Sequence, residues 1–254
     1  MTDANPVTTL RPMLAVIPAR GGSRGLPGKN IRPLAGLPLL VHSLRCASMT
    51  ELIDRTVVST DSREIAQVAR DHGADVPELR PAVLATDDTP MMPVLQHTLR
   101  EVEKAEGRAY ASVLLLDPTS PCRLPADLET AAERLAADPS AVGAVAVSEP
   151  YFNPLWVGVV QLDGHLARAP GAEHRDRRQD VPRFLRVNGA FYLWRTSFLR
   201  SAPGAWLDAG PHLGVEIPEA RGYSIDDAHE FAQLDALVSA GLVRLPWLGS
   251  GDAA

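Results

Sequence analysis

Residues 17–30, IPARGGSRGLPGKN, combine positive charge with an exposed, glycine-rich backbone. The segment carries four glycines together with Arg20, Arg24 and Lys29, and it follows a short apolar run. Amides of a glycine-rich turn, helped by arginine or lysine, can surround phosphate groups. We therefore predict a loop that binds a triphosphate, with Lys29 packing little within it. A loop whose charges are merely solvated is the alternative.

Two common phosphate-binding motifs do not fit this loop. A P-loop needs glycine, four residues and then Gly-Lys-Ser/Thr, whereas Ser23 occupies the first glycine position and Asn30 follows Lys29. A dinucleotide-binding turn needs G-x-G-x-x-G opening directly into a helix, which Pro27 and Pro33 prevent. A kinase or a dehydrogenase with these motifs is disfavoured.

The loop lies within an alternation of strand and helix patterns. Short runs rich in Val, Ile and Leu, typical of buried parallel strands, occur at 13–17, 55–59, 112–116 and 142–147. Apolar residues repeat at helical spacing in segments 37–49, 62–73, 93–107 and near 227–240. This order predicts an α/β fold with a mostly parallel sheet and helices on both faces. Ligands of such sheets bind at the carboxyl ends of the strands, where the loop begins.

The pattern changes after Glu149. Residues 157–169 resemble a hairpin with Asp163-Gly164 at its turn, and a segment dense in arginine follows. We interpret about 150–187 as an arm inserted into a single domain that spans 1–254. The run 190–194 returns to the main sheet.

Composition limits the classes of function. The chain has 254 residues, 45% hydrophobic and 22% charged, as a globular protein has. Its net charge of −6 argues against nonspecific binding of nucleic acid. No signal-peptide pattern and no apolar run of about 18 residues is present, so we expect a cytoplasmic protein without a membrane partner. Two cysteines, Cys46 and Cys122, are too few for a disulfide framework, and we expect packed thiols.

Six segments in order resemble the acylneuraminate cytidylyltransferases, the CMP-sialic acid synthetase family. They are IPARGGSRGLPGKNIRPLAGLPLL, VSTD, RPAVLATDDTP, PTSPCR, RRQDVPRFLRVNGAFY and SIDDAHEF. The resemblance implies a Rossmann-like nucleotide-diphospho-sugar transferase fold with an inserted dimerisation arm. It also implies transfer of CMP from CTP to the hydroxyl of an acidic acceptor such as a nonulosonate, with Mg²⁺ as cofactor and pyrophosphate as product.

The same resemblance suggests which residues form the site. It assigns catalysis to Arg20, Lys29 and Asp226. The side chain of Asn30 offers both a hydrogen-bond donor and an acceptor, which suits recognition of the edge of a cytosine base. The nucleotide-binding candidates are Ala19, Arg20, Gly21, Gly22, Ser23, Lys29, Asn30, Arg80, Asp87 and Thr89, although the segment around Asp87 and Thr89 also fits a turn and helix cap.

The acceptor side is assigned to the arm and the strand after it. Arginine suits a carboxylate because it can bind it in a bidentate manner. The acceptor candidates are Asp117, Arg178, Gln179, Arg186 and Asn188. In the family the arm of one subunit commonly reaches its partner's site, which implies a homodimer.

Two positions depart from the family pattern. Asp117 stands where the family usually has glutamine, and Ser224 stands where it usually has the first aspartate of Asp-Ile-Asp. Asp226 and Asp117 are therefore the candidate metal ligands. The departures keep two alternatives open: an acceptor of another kind, such as a phosphonate metabolite, and a catalytically weakened nucleotide-binding regulator.

Overall fold

The computed structural model describes residues 6–22, 25–172 and 177–249. Ser23 and Arg24, and Arg175 of the arm, lie outside these ranges. The strands are β1 (Met13–Pro18), β2 (Pro33–Leu34), β3 (Leu37–Pro38), β4 (Arg55–Ser59), β5 (Ser112–Leu115), β6 (Gly143–Ser148), β7 (Val159–Leu162), β8 (His165–Arg168), β9 (Arg186–Arg195) and β10 (His212–Glu216). The helices are α1 (Leu39–Ser48), α2 (Arg63–Asp71), α3 (Met91–Glu106), α4 (Pro125–Ala137), α5 (Pro154–Val157), α6 (Thr196–Leu199) and α7 (Ala228–Ser239).

The main sheet has six strands in the order β10-β6-β9-β5-β1-β4. Strand β1 pairs in parallel with β4 and β5, and β6 pairs in parallel with β10. Strand β9 runs antiparallel between β5 and β6. The prediction of a mostly parallel sheet is confirmed. The carboxyl ends of the parallel strands and the amino end of β9 thus meet at one edge of the sheet.

Both faces of the sheet are covered by helices, as predicted. Because side chains alternate along a strand, Ala15 and Ile17 of β1 pack with α1, α2 and α4. Leu14 and Val16 point the other way and pack with α3 and α6. The strands are therefore buried on both sides, which explains their continuous apolar sequences.

The predicted elements agree closely with the structure. Strand β4 has the predicted bounds, the strands β1, β5 and β6 lie within one residue of theirs, and the helices α1, α2, α3 and α7 within two. Helix α4 and strand β10 were not predicted, and β9 is twice as long as the predicted run 190–194. That 1–254 form one domain stays a prediction.

The arm contains the predicted hairpin. Strands β7 and β8 pair with each other in antiparallel register and form a separate two-stranded sheet. Asp163 and Gly164 at the turn have φ of 50° and 80°, and positive φ at both central residues is what a tight hairpin turn requires. Large apolar side chains of the arm are exposed, among them Tyr151, Phe152 and Leu166. The arm therefore leaves an apolar surface open.

None of the helices in the described part of the chain is both long and apolar enough to cross a membrane.

Candidate active site

The glycine-rich loop is fixed at its start by the end of β4. The amide of Ala19 donates to the carbonyl of Ser59 at 2.9 Å, and the amide of Gly21 donates to Asp61 Oδ1 at 2.9 Å. These bonds hold the first turn of the loop beside the carboxyl end of a neighbouring strand. Gly22 is exposed, and no atom of the described residues beyond its chain neighbours lies within 4 Å of the place a Cβ would take.

Farther along the loop, the backbone packs directly on the segment before α7. A Cβ on Gly25 would lie 2.2 Å from the carbonyl oxygen of Asp226, so only glycine fits at this contact. Gly28 has φ +67°, in the left-handed region. It turns the chain into the 3₁₀ turn Lys29–Ile31, which directs Lys29 toward the same segment.

Lys29 is not the loosely packed side chain that the sequence predicted. It is only 9% exposed, and its Nζ donates to the carbonyl oxygen of Ile225 at 2.6 Å and to Asp226 Oδ1 at 3.2 Å. The lysine was expected to be free because its partners are 196 and 197 positions away in the sequence. Lys29 thus joins the loop to the segment that carries Asp226.

Asn30 and Arg80 are both buried at the wall of the site. The side-chain amide of Asn30 donates to the carbonyl of Arg20 at 3.1 Å. The guanidinium of Arg80 donates to the carbonyl of Ser59 and, at 3.4 Å, to that of Leu84. Its Nε has no hydrogen-bond partner among the described residues. A buried donor without a partner is costly, and a ligand in the site offers a way to satisfy it.

Asp117 lies just beyond the end of β5. Its Oδ1 accepts hydrogen bonds from the amide and the hydroxyl of Thr119, at 3.0 and 2.9 Å. The carbonyl of Thr119 in turn accepts from the amide of Ile225 at 2.9 Å. The turn after β5 is therefore bonded to the segment before α7, and Asp117 and Asp226 are carried by adjacent pieces of chain.

These groups surround one cavity of about 440 Å³, within the usual size range of small-molecule sites. It joins the predicted cations Arg20, Lys29 and Arg80, the predicted asparagine and both predicted metal ligands. Thr119 and Met91 also line it and were not predicted. The lining residues are Pro18, Arg20, Gly25, Lys29, Asn30, Arg80, Met91, Asp117, Thr119 and Asp226.

The segment with Asp87 and Thr89 does not line this cavity. Asp87 reaches it only indirectly, because its Oδ1 lies 2.7 Å from Nη1 of Arg20. The hydroxyl of Thr89 lies 2.7 Å from that of Thr86 and donates to the carbonyl of Val83. For Thr89 the structure thus matches the alternative of a turn.

The acceptor candidates on β9 lie at the same edge of the sheet, but their side chains are hydrogen-bonded to other residues of the protein. Nε of Arg186 donates to Glu219 Oε1 at 2.9 Å, and Nη2 donates to the carbonyl of Gly222 at 2.8 Å. The amide nitrogen of Asn188 donates to Ser148 Oγ at 2.7 Å, and its oxygen accepts from the amide of Ala190. Asn188 is therefore engaged on both sides within the sheet.

The remaining acceptor candidates belong to the arm. Arg178 begins the 3₁₀ turn Arg178–Asp180, and Gln179 in the same turn is exposed. Gln179 is not among the residues that line the cavity, and the side chain of Arg178 lies outside the described part of the structure.

The carboxylates near α7 have separate roles in the structure. Asp227 caps the helix, because its Oδ1 accepts from the amides of His229 and Glu230 at 2.8 and 2.9 Å. The side chain of Asp226 is 78% exposed and contacts Lys29. Among the described residues, no three His, Cys, Asp or Glu side chains are grouped as a metal site would need. Asp117 and Asp226 are the carboxylates found in the described lining of the cavity.

The two cysteines are packed thiols, as expected. Both Cys46 and Cys122 are fully buried. Burial raises the pKa of each to about 12, so both are protonated at neutral pH and unsuited to nucleophilic attack.

Comparison with known proteins identifies the family. The sequence profile of the family described as Cytidylyltransferase matches residues 14–183. The chain is 37% identical over 181 residues to the CMP-N,N'-diacetyllegionaminic acid synthase of Legionella pneumophila, covering 71% of this chain and 77% of that protein. It is 29% identical over 209 residues to the pseudaminic acid cytidylyltransferase of Campylobacter jejuni, covering 80% and 86%.

The solved structure of a CMP:2-keto-3-deoxy-manno-octonic acid synthetase, complexed with CTP, has the same fold. It superposes with a TM-score of 0.70 at 21% identity, over 90% of this chain and 99% of the other. The fold and the sequence comparisons agree. The chain belongs to the cytidylyltransferase family, alongside the CMP-sialic acid synthetases, and is a CTP-dependent nucleotidyltransferase.

Proposed function

We propose that this protein transfers CMP from CTP to a hydroxyl of a nonulosonic, sialic-type sugar acid and releases pyrophosphate. The observation that carries the proposal is the cavity in which Arg20 and Lys29 face the carboxylates of Asp117 and Asp226. Cations there suit a triphosphate, and the relatives named above supply the acceptor class. Legionaminic and pseudaminic acids are the acceptors to test first.

The loop residues would act mainly through charge. The acceptor oxygen bonds to the α-phosphorus as the bond to pyrophosphate breaks, and negative charge spreads over the transferring group and the leaving pyrophosphate. Positioned cations and amides stabilise such charge. Arg20, Lys29 and the amide of Gly22 take this role in our proposal, and Ser23 is added by family resemblance alone. The amides of Ala19 and Gly21 would instead hold the loop in place, because they already donate to Ser59 and Asp61.

Asn30 and Arg80 would bind the nucleoside end of CTP. Both are buried and held by backbone carbonyls, so their positions are fixed before the ligand arrives. The unpartnered Nε of Arg80 is a donor that the nucleotide can satisfy. Asp87 would hold the guanidinium of Arg20 through their ion pair, and the triphosphate would take the place of Asp87 when it binds.

Mg²⁺ fits the residues present. Magnesium is usually held by one or two carboxylates together with substrate phosphates and water, and Asp226 and Asp117 offer that number on one cavity. When bound, the ion would supply positive charge to the triphosphate. Asp226, largely exposed and held at Oδ1 by Lys29, is the ligand we propose first, with Asp117 as the second.

The acceptor would bind where β9 begins. Arg186 is the first candidate to bind the carboxylate of the acceptor. That carboxylate would take the place of Glu219 in the ion pair with Arg186. Arg178 and Gln179 of the arm would complete the pocket from a second subunit, and Asn188 would act by holding the sheet edge. Exposed apolar residues on the arm, such as Phe152 and Leu166, support a homodimer, since large exposed patches often mark interfaces. The cytoplasmic location stays a prediction from the sequence.

The test is an acceptor screen with CTP and Mg²⁺. Pyrophosphate release and the CMP-sugar product are measured for legionaminic, pseudaminic and N-acetylneuraminic acids, with 2-keto-3-deoxy-manno-octonic acid and a phosphonate as competing classes. We expect product with a nonulosonic acid. Product with the phosphonate alone would refute the acceptor class, and CTP binding without product from any acceptor would favour a regulator.

A further inference from the structure

Arg123 is a fully buried arginine immediately behind the candidate site. It is 0% exposed and lies between the turn after β5 and the start of α4. Its guanidinium donates to the hydroxyl of Ser43 at 2.7 Å and to the backbone carbonyls of Ala190, Asp117 and Ser120. One side chain therefore bonds to three separate parts of the fold.

The charge of Arg123 is not neutralised by a hydrogen-bonded carboxylate within the described residues. All four of its described acceptors are neutral oxygens. An arginine keeps its proton in proteins, and a buried charge is costly unless it is paired and hydrogen-bonded. A neutral side chain would avoid that cost. The hydrogen bonds that the guanidinium makes are therefore the feature that a neutral, well-packed side chain would lack.

The geometry fits a clamp on the site wall. A guanidinium has five donors in a rigid plane, whereas lysine carries its three donors on one nitrogen at the end of a flexible stem. Two of the carbonyls that Arg123 binds, those of Asp117 and Ser120, enclose the turn that carries Thr119. Asp117 and Thr119 line the cavity, and Thr119 is bonded to Ile225, next to Asp226.

We propose that Arg123 is a positioning residue. It holds the turn from Asp117 to Ser120 against α1 and β9 so that the Asp117 carboxylate faces the cavity at a fixed place, and it does not touch either substrate. The proposal rests on the proposed function for the role of Asp117, but the placement of the turn can be measured without any activity.

The first test is hydrogen exchange of the purified protein without substrates. In Arg123→Lys, we expect exchange in a peptide covering the turn 117–120 to rise at least about tenfold, since the turn loses two donors. Arg195→Lys is the matched control. Arg195 also donates to backbone carbonyls, those of Ala141, Leu135 and Asp138, but at the opposite edge of the sheet.

The second test is kinetic. We expect Arg123→Lys to lower kcat/KM for the acceptor at least about tenfold while the Kd for CTP measured without Mg²⁺ stays within about threefold. Asp117 would act through the metal and the acceptor, whereas Arg20 and Lys29 are held by other contacts. If Arg123 served stability alone, Arg123→Lys would impair the use of CTP and of the acceptor to the same degree. Arg195→Lys is expected to show that pattern. In an Asp117→Asn background, Arg123→Lys should lose most of its effect, because the group that it positions is gone.

Some results of these two tests would overturn the proposal. Wild-type exchange at the turn in Arg123→Lys, or an equal rise in Arg195→Lys, would overturn the proposal. If Arg123→Lys does not fold, Ser43→Ala decides, because it removes only the acceptor of one guanidinium nitrogen: faster exchange at 117–120 supports the clamp, and unchanged exchange refutes it. A protein that shows the exchange effect but uses no acceptor would refute the proposed function alone.

Discussion

Lys29→Met tests whether the buried lysine serves the fold, the reaction or both. Methionine keeps the apolar stem and removes the charge. The carbonyl of Ile225, a fully buried residue, then loses the donor that lies 2.6 Å away, at a cost of about 1–3 kcal/mol. The pair with Asp226 adds little, because exposed ion pairs contribute about 0–1 kcal/mol and Asp226 is largely exposed.

The stability loss should therefore be modest and the loss of rate large. A decrease of about 1–3 kcal/mol in the free energy of unfolding corresponds to a fall of about 2–12 °C in melting temperature. If Lys29 also stabilises the charge that develops on the phosphates, kcat should fall by about 10²–10³, the range seen when one positioned donor is removed.

The assay measures pyrophosphate release at saturating CTP and acceptor, with thermal melting in the same buffer. Lys104→Met is the control, because Lys104 is an exposed lysine in the last turn of α3. A kcat within about threefold of wild type, or about 0.6 kcal/mol of barrier, together with the expected loss of melting temperature, would reduce Lys29 to a structural tether. An unchanged melting temperature would refute the tether.

Three further predictions concern the metal, the nucleotide and the acceptor. Asp226→Asn should abolish most activity, whereas Ser224→Asp should lower the Mg²⁺ concentration for half-maximal rate; a wild-type Mg²⁺ titration curve for Asp226→Asn would remove it from the metal site. Calorimetry should find CTP bound at least about tenfold more tightly than ATP, and equal affinities would contradict a cytosine pocket at Asn30. Glu219→Gln should lower the acceptor KM by up to about fivefold, the scale of a partly exposed ion pair, and an increased KM would show that Glu219 helps Arg186 rather than competes with it.

Elements whose signals are local were predictable from the sequence. Helix α2 begins after Ser62, whose hydroxyl accepts from the amide of Ile65, and it ends before Gly73, which has φ +81°. Both boundaries are written in the residue types. The hairpin turn at Asp163 and Gly164 is equally local, because a positive φ selects those residues.

Elements that depend on distant partners were harder to predict. Strand β9 inserts antiparallel between β5 and β6, and its first half follows directly from an arm with no clear period. Strand β10 contains histidine, glycine and glutamate in five residues, so hydrophobicity alone does not mark it. It forms because β6 offers a free edge in parallel register.

The candidate site shows the same division. The glycine-rich loop could be recognised because its charges and glycines are adjacent in sequence. The partners of Lys29 before α7, and those of Arg123 on α1 and β9, could not be, because they are distant in the sequence and become neighbours only in the folded chain. The arginine of PTSPCR was visible in the sequence, but nothing local indicates that it is buried.

If the family pattern that the sequence resembles applies here, the two departures from it offset each other in charge. Ser224 removes one carboxylate from the segment before α7, and Asp117 adds one at the turn after β5. These segments are bonded to each other through the amide of Ile225 and the carbonyl of Thr119, and Asp117 and Asp226 line the same cavity. Asp227 cannot make up the loss, since its carboxylate caps α7. The described lining of the cavity thus has two carboxylates, and the serine by itself is no argument for an inactive protein.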